Sequence, residues 1–222
     1  MKRLLLILAG TLPFCAAAEP GAKPDLFPLT NHSWWEYSGT AKLRGNPGTQ
    51  PIRIRMDVIE VLERGAVKAA WVRGSPLGLM NHTEGPDGQV IARVGQRMYV
   101  ADAARSSEVR LRMGDPADSL ADLFRDSEFL LDTALPVDDT VCAKDELTQQ
   151  CRGKSPSAPA CNSCWSTSMA GNEYRITQRG PAGFRTIRFQ PGAGITGFEF
   201  ENVPMRESAS VRLDASDVVN PD

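Results

Sequence analysis

The sequence predicts a mainly β fold: an antiparallel sheet, as a sandwich or an open or half barrel, with one short helix and a disulfide-stapled loop. Three observations predict it. Short apolar runs recur at roughly 8 to 12 residue spacing between turn signals. Several runs alternate apolar and polar residues with period two, which sets one face of a strand in a core. Four cysteines, Cys142, Cys151, Cys161 and Cys164, crowd into one polar stretch.

Taken in order, residues 1–18 have the parts of a secretory leader. Lys2 and Arg3 supply the charge, Leu4 to Leu8 with Ala9 the apolar run, and Ala16-Ala17-Ala18 the small residues before cleavage at Glu19. That run is too short to span a bilayer, for which roughly 20 residues are needed. Phe14 precedes Cys15 where a lipid-anchored protein carries a small residue, which argues against anchoring at Cys15. The mature chain is expected in the periplasm or outside the cell, and no later segment is long and apolar enough to cross a membrane as a helix. Removing the leader leaves 23 basic against 27 acidic residues, a net charge near −4. Nucleic acid, which calls for a basic face, is not an expected partner.

Residues 19–26 read as a flexible leader and 27–213 as a single β-rich domain, with a cysteine loop inserted at 143–163. Residues 214–222 read as an acidic tail. Trp34 to Tyr37 opens the first strand, and Gly45-Asn46-Pro47-Gly48 is a turn. Ile52 to Val58 alternates strictly. The apolar phase slips at Ile59 and Val61, as a β-bulge or a strand buried on both faces would require. Val67 to Val72 returns. Leu79 to Glu84 and Gln89 to Val94 flank the turn Gly85-Pro86-Asp87-Gly88, and Arg97 to Ala101 follows. Val109, Leu111 and Met113 alternate with charged residues and predict another strand. Leu120, Leu123 and Phe124 behind Asp115 or Asp118 predict the helix. Val137 to Cys142 is strand-like and 143–160 loop-like. Trp165 to Ala170, Glu173 to Arg179, Gly183 to Gln190, Ile195 to Glu201 and Ser208 to Leu213 complete the strands.

The cysteines carry the sharpest local signal. Cys142 ends one predicted strand and Cys164 starts another. A hairpin would set them face to face and leave Cys151 to close the loop with Cys161. This nested pairing is favoured over the sequential one, 142 with 151 and 161 with 164. Such bridges belong to an oxidising compartment. Cys161-Asn162-Ser163-Cys164 is a CxxC, but the β-like Trp165-Ser166-Thr167-Ser168 follows where a redox motif needs a helix N-terminus. Spacings of nine and ten positions between the first three cysteines do not give the two close pairs of a zinc finger. The histidines, His32 and His82, stand in no metal-binding or protease spacing. Nucleophile elbow, phosphate loop and dinucleotide fingerprint are absent from the sequence. The adjacent Asp138 and Asp139 read as a solvated turn. The sequence thus points to no catalytic residue, no metal ligand set and no cofactor.

The aromatics leave one hint of binding. Trp34, Trp35, Tyr37 and Trp71 lie on predicted strands, and adjacent Trp34 and Trp35 must face opposite sides. A groove for an apolar ligand or an envelope protein could be lined by these four. Phe27-Pro28-Leu29 with Asn31, Trp34 or Trp35, and Tyr37 resembles the FPL..GN.W.Y opening of bacterial secreted domains. Pro191-Gly192-Ala193-Gly194-Ile195 resembles the PGVGI turn near their C-termini. The resemblance spans about residues 26–213 and implies a β-rich fold outside the cytoplasm. His32 and the cysteine loop depart from it, and it brings no catalytic residue. A non-enzymatic binding or envelope-associated domain is the reading preferred. A carboxylate-based hydrolase and a thiol-redox or zinc protein are the alternatives.

Overall fold

The computed structural model describes residue 25 and residues 27–46, 48–80, 88–134, 137–142, 145–152, 154 and 161–218. The expected leader with Cys15, most of 19–26, Pro47, His82 and residues 85–87 of the turn lie outside these.

The described strands are β1 (Trp34–Lys42), β2 (Gln50–Arg64), β3 (Val67–Arg73), β4 (Gln89–Val94), β5 (Arg97–Ala101) and β6 (Glu128–Asp132). They continue as β7 (Thr140–Cys142), β8 (Cys164–Ala170), β9 (Glu173–Gly180), β10 (Gly183–Gln190), β11 (Gly194–Asn202) and β12 (Glu207–Asp217). All join one antiparallel sheet in the order β6-β5-β4-β3-β2-β1-β12-β11-β10-β9-β8-β7. The first and last strands pair, so each half of the chain is a meander and the halves meet at β1 and β12. The sheet curls into a nearly closed barrel whose edges, β6 and β7, approach each other.

Strand phase explains the interior. Trp35, Tyr37, Met56, Val58, Ala70, Val72, Ile187, Phe189, Phe198 and Val211 point inward and share the main core. The phase slip foreseen after Val58 is a register shift between Val58 and Glu60 against β3. β3 is covered on both faces: Val67, Ala69 and Trp71 point outward into a second core with Val90, Ala92, Val109, Leu123 and Phe124. A strand buried on both sides reads as a nearly continuous apolar run, as Val67 to Val72 does.

Two helices stand where none was expected. Helix α1 (Ser106–Gly114) occupies the predicted strand around Val109. Val109 and Met113 are four apart, so they share one helical face and are buried, while Leu111 is 75% exposed. Alternation over so short a run cannot separate the two periods. The predicted helix at 115–124 is instead irregular. Asp115 and Asp118 accept from the N–H groups of Ala117 and Leu120, and Leu120 sits at φ 58°. Such local side-chain turns compete with helix formation. Helix α2 (Asp145–Cys151) replaces part of the predicted loop. Pro76–Met80 is a 3-10 turn where the sequence predicted the start of a strand at Leu79. β12 continues to Asp217, opposite Trp34, into the stretch read as tail.

Candidate functional site: the Arg185 end of the barrel

The two ends of the barrel differ. At one, the turn between β10 and β11 meets the N-terminal segment. The ring of Phe27 packs edge-on to Trp35 and Phe189, at 5.5 and 6.0 Å between centroids. Trp35 Nε1 donates to Ala193 O at 2.7 Å, and Tyr37 Oη to Ile195 O at 3.1 Å. Burial pushes the Tyr37 phenol well above its ordinary value. The residues of the two resembling motifs therefore form one packed cluster.

This placement decides the fate of the expected aromatic groove. Trp35, Tyr37 and Trp71 are fully buried. Trp71 lies on the outer side of β3, its Nε1 donating to Ser106 Oγ at 2.7 Å beneath α1. Trp34 faces outward under the guanidinium of Arg55, 4.4 Å from the ring centre, and Arg55 also holds Glu36 and Asp57. The four side chains sit on three separate surfaces, because neighbours on a strand face opposite ways and the sheet is covered on both sides at β3. They do not line one groove.

The cysteines staple the other end. Cys142 is bonded to Cys164 and Cys151 to Cys161, all buried and packed with Leu147. Cys142 and Cys164 are register partners of β7 and β8. The sulfurs of Cys142, Cys151 and Cys164 lie within 4.8 Å of one another, which follows from two adjacent bridges. A disulfide sulfur is not the thiolate that binds zinc or attacks as a nucleophile. The bridged loop also shields the sheet edge. Thr140 N–H donates to Asp139 Oδ1 at 2.7 Å and Cys142 N–H to Thr148 Oγ1 at 3.1 Å. Side chains thereby satisfy β7 donors that an unprotected edge would offer to another strand.

Between this staple and the turn joining β9 to β10 opens a cavity of about 450 Å³. Its floor holds Arg185, in phase with inward-facing Ile187 and Phe189 on β10. The guanidinium lies 4.4 Å over the Trp165 ring, and Nε donates to Gln178 Oε1 at 2.8 Å. Its Nη1 pairs with Glu128 of edge strand β6, and Gln178 in turn donates to Asn162 O. Burial lowers the Arg185 pKa to about 10, so the group stays cationic at neutral pH. Glu128 and Arg185 are also walls of a small hollow behind the cavity, with Leu77, Gln89, Val100, Leu130 and Phe198. Gln89 is 2% exposed, and its Oε1 has no hydrogen-bond partner among the described residues. A buried acceptor left unpaired costs about 1–3 kcal/mol.

Sequence reasoning singled out none of Arg185, Glu128, Gln178 or Gln89. One signal was available: Arg185 is a charge in the apolar phase of Ile187 and Phe189. Its partner Glu128 lies 57 residues away and meets it only because the sheet closes.

No family model matches the chain, and no curated protein matches it. Among solved structures, one described as an exported protein with a YmcC-like fold, from Bacteroides fragilis, is 8% identical with a TM-score of 0.34. It covers 87% of this chain and 99% of its own. A Parabacteroides distasonis protein described as a lipoprotein is 12% identical with a TM-score of 0.35, covering 88% and 99%. A Vibrio parahaemolyticus domain described as outer membrane lipoprotein-sorting is 9% identical with a TM-score of 0.34, covering 84% and 85%. Likenesses this distant carry no argument.

Proposed function

We propose that this chain is an exported, non-enzymatic binding domain that holds an amphipathic ligand at the Arg185 end of its barrel. The largely sheltered guanidinium of Arg185, its side chain 14% exposed and facing inward beside a cavity of about 450 Å³, carries the reading. A cation sheltered against an aromatic wall attracts an anionic head group more strongly than one in open water. Glu128 now provides its carboxylate, the chemistry that a ligand carboxylate would replace. The apolar tail would lie along the inner face among Val100, Leu130 and Phe198, taking the place of Leu77 from the 3-10 turn. The two disulfides accord with an oxidising compartment.

Dodecanoate is a suitable probe, its binding followed by calorimetry with dodecanol as the uncharged control. The wild type binds dodecanoate better than dodecanol. Arg185→Met weakens the acid by about tenfold or more, as expected for a lost charge-assisted bond, and leaves dodecanol unchanged. Failure of the wild type to bind, or equal binding by Arg185→Met, refutes the reading.

A further inference from the structure

The same end of the barrel carries an exposed apolar tip. The turn from β11 to β12, Val203-Pro204-Met205-Arg206, projects Val203 at 59% and Met205 at 53% exposure. Pro204 is also exposed, as are Pro181 and Ala182 of the adjoining turn. Isolated exposed apolar residues are ordinary, but these gather on two neighbouring tips.

The tip's backbone donors are already satisfied. Val203 N–H donates to Ala182 O at 2.9 Å, Met205 N–H to Asn202 Oδ1 at 3.3 Å and Arg206 N–H to Val203 O at 3.2 Å. Pro204 has no N–H. The tip can therefore leave water without stranding a donor, one of the requirements on any backbone that enters an apolar layer.

Charge completes the pattern. Arg206 ends the turn, Arg44 binds Glu207 Oε1 through its backbone N–H at 3.1 Å, and Lys42 pairs in register with Ser208. Among the described residues, the side chains of Arg206, Arg44 and Lys42 make no ion pair. Glu207 is buried, and the exposed carboxylate nearby is Glu201. An apolar tip with unpaired cations beside it fits an anionic surface with an apolar interior.

We infer that the β11–β12 turn docks this end of the barrel on an anionic lipid surface, with Val203, Pro204 and Met205 inserted and Arg44, Arg206 and Lys42 at the head groups. The inference stands on the tip and does not depend on a ligand at Arg185.

Vesicle flotation at low salt tests it, with the exported protein purified after expression under its own leader. Vesicles of phosphatidylglycerol and phosphatidylcholine in equal parts are compared with phosphatidylcholine alone. The wild type floats with the anionic vesicles and far less with the neutral ones. Arg44→Gln with Arg206→Gln lowers the partition by about fivefold per cation removed. Val203→Ser with Met205→Ser lowers it by about fivefold per side chain, since each withdraws roughly half of a buriable apolar surface. Arg185→Met leaves flotation unchanged, which separates this docking from the ligand site. Absence of flotation by the wild type, equal flotation with both vesicle types, or wild-type flotation by both double variants overturns the inference. So does sedimentation showing that the tip variants abolish a self-association instead of lipid binding.

Discussion

Gly194→Ala tests how the Phe27 end is closed. Gly194 sits at φ 82°, and a Cβ there would fall 2.4 Å from Phe27 Cδ2 and 2.8 Å from Cε2. Non-bonded carbons prefer about 3.5–4.0 Å, so the ring must leave its place. The left-handed backbone alone costs an alanine about 1–2 kcal/mol. Phe27 is buried, and losing a buried phenylalanine costs about 3–5 kcal/mol, which bounds the second contribution. Gly194→Ala should therefore destabilise by about 3–5 kcal/mol, the backbone strain plus part of the ring's burial. The mechanism predicts a specific non-additivity. In a Phe27→Ala background the clash is gone, and Gly194→Ala should cost only the backbone part, about 1–2 kcal/mol. Urea unfolding of both singles and the double gives the coupling, on the order of 2 kcal/mol, provided the slopes agree. Additive losses would show that Phe27 does not seat against Gly194, and the packing account of this end would fall.

Two further outcomes are expected. Denatured but unreduced protein should show no free thiol at Cys142, Cys151, Cys161 or Cys164, and Cys151→Ser with Cys161→Ser should cost about 3 kcal/mol in urea unfolding; four free thiols with bound zinc would contradict both. In acid, the Arg112 guanidinium and the Leu120 N–H hold the Asp118 carboxyl at about 2, below its ordinary 3.8. A depressed carboxylate adds stability above its ordinary value, and that part is lost as pH falls toward 2. Thermal melts across this window should fall more steeply for the wild type than for Asp118→Asn, and parallel curves would remove the group from the acid response.

What was legible in the chain was what local periodicity encodes. Ile52 to Val58 reads as a half-buried strand because every second side chain meets the core, and β2 follows. Cys142 at the end of one strand and Cys164 at the start of the next imply a hairpin stapled at its open end, and the two are register partners. Local pattern fails where two periods coincide: Val109 and Met113 share a face in a strand and in a helix alike. It fails again where short side chains cap their own backbone, as Asp115 and Asp118 do. The aromatic hint failed for a tertiary reason. A row of rings does not reveal which side of a sheet is covered, and α1 buries Trp71 from outside while Phe27 closes over Trp35 from within.

The two ends of the barrel divide stability from recognition, and the division follows from their chemistry. At the Phe27 end the polar tips of Trp35 and Tyr37 each find a carbonyl, and both bonds join residues 158 apart. Such contacts tie β1 to the β10–β11 turn, and substitutions there should act through folding. At the Arg185 end the chain keeps features that burial alone would not favour. These are a sheltered guanidinium with its partly exposed carboxylate, a Gln89 acceptor without a partner among the described residues, and an apolar turn in water beside uncommitted cations. An ion pair partly open to water adds little stability, so stability does not account for Arg185 and Glu128, whose side chains are 14% and 34% exposed. The staple of Cys142–Cys164 and Cys151–Cys161 sits at this same end. It holds in place an opening that lacks the aromatic closure of the other, and it leaves Arg185 accessible from the cavity.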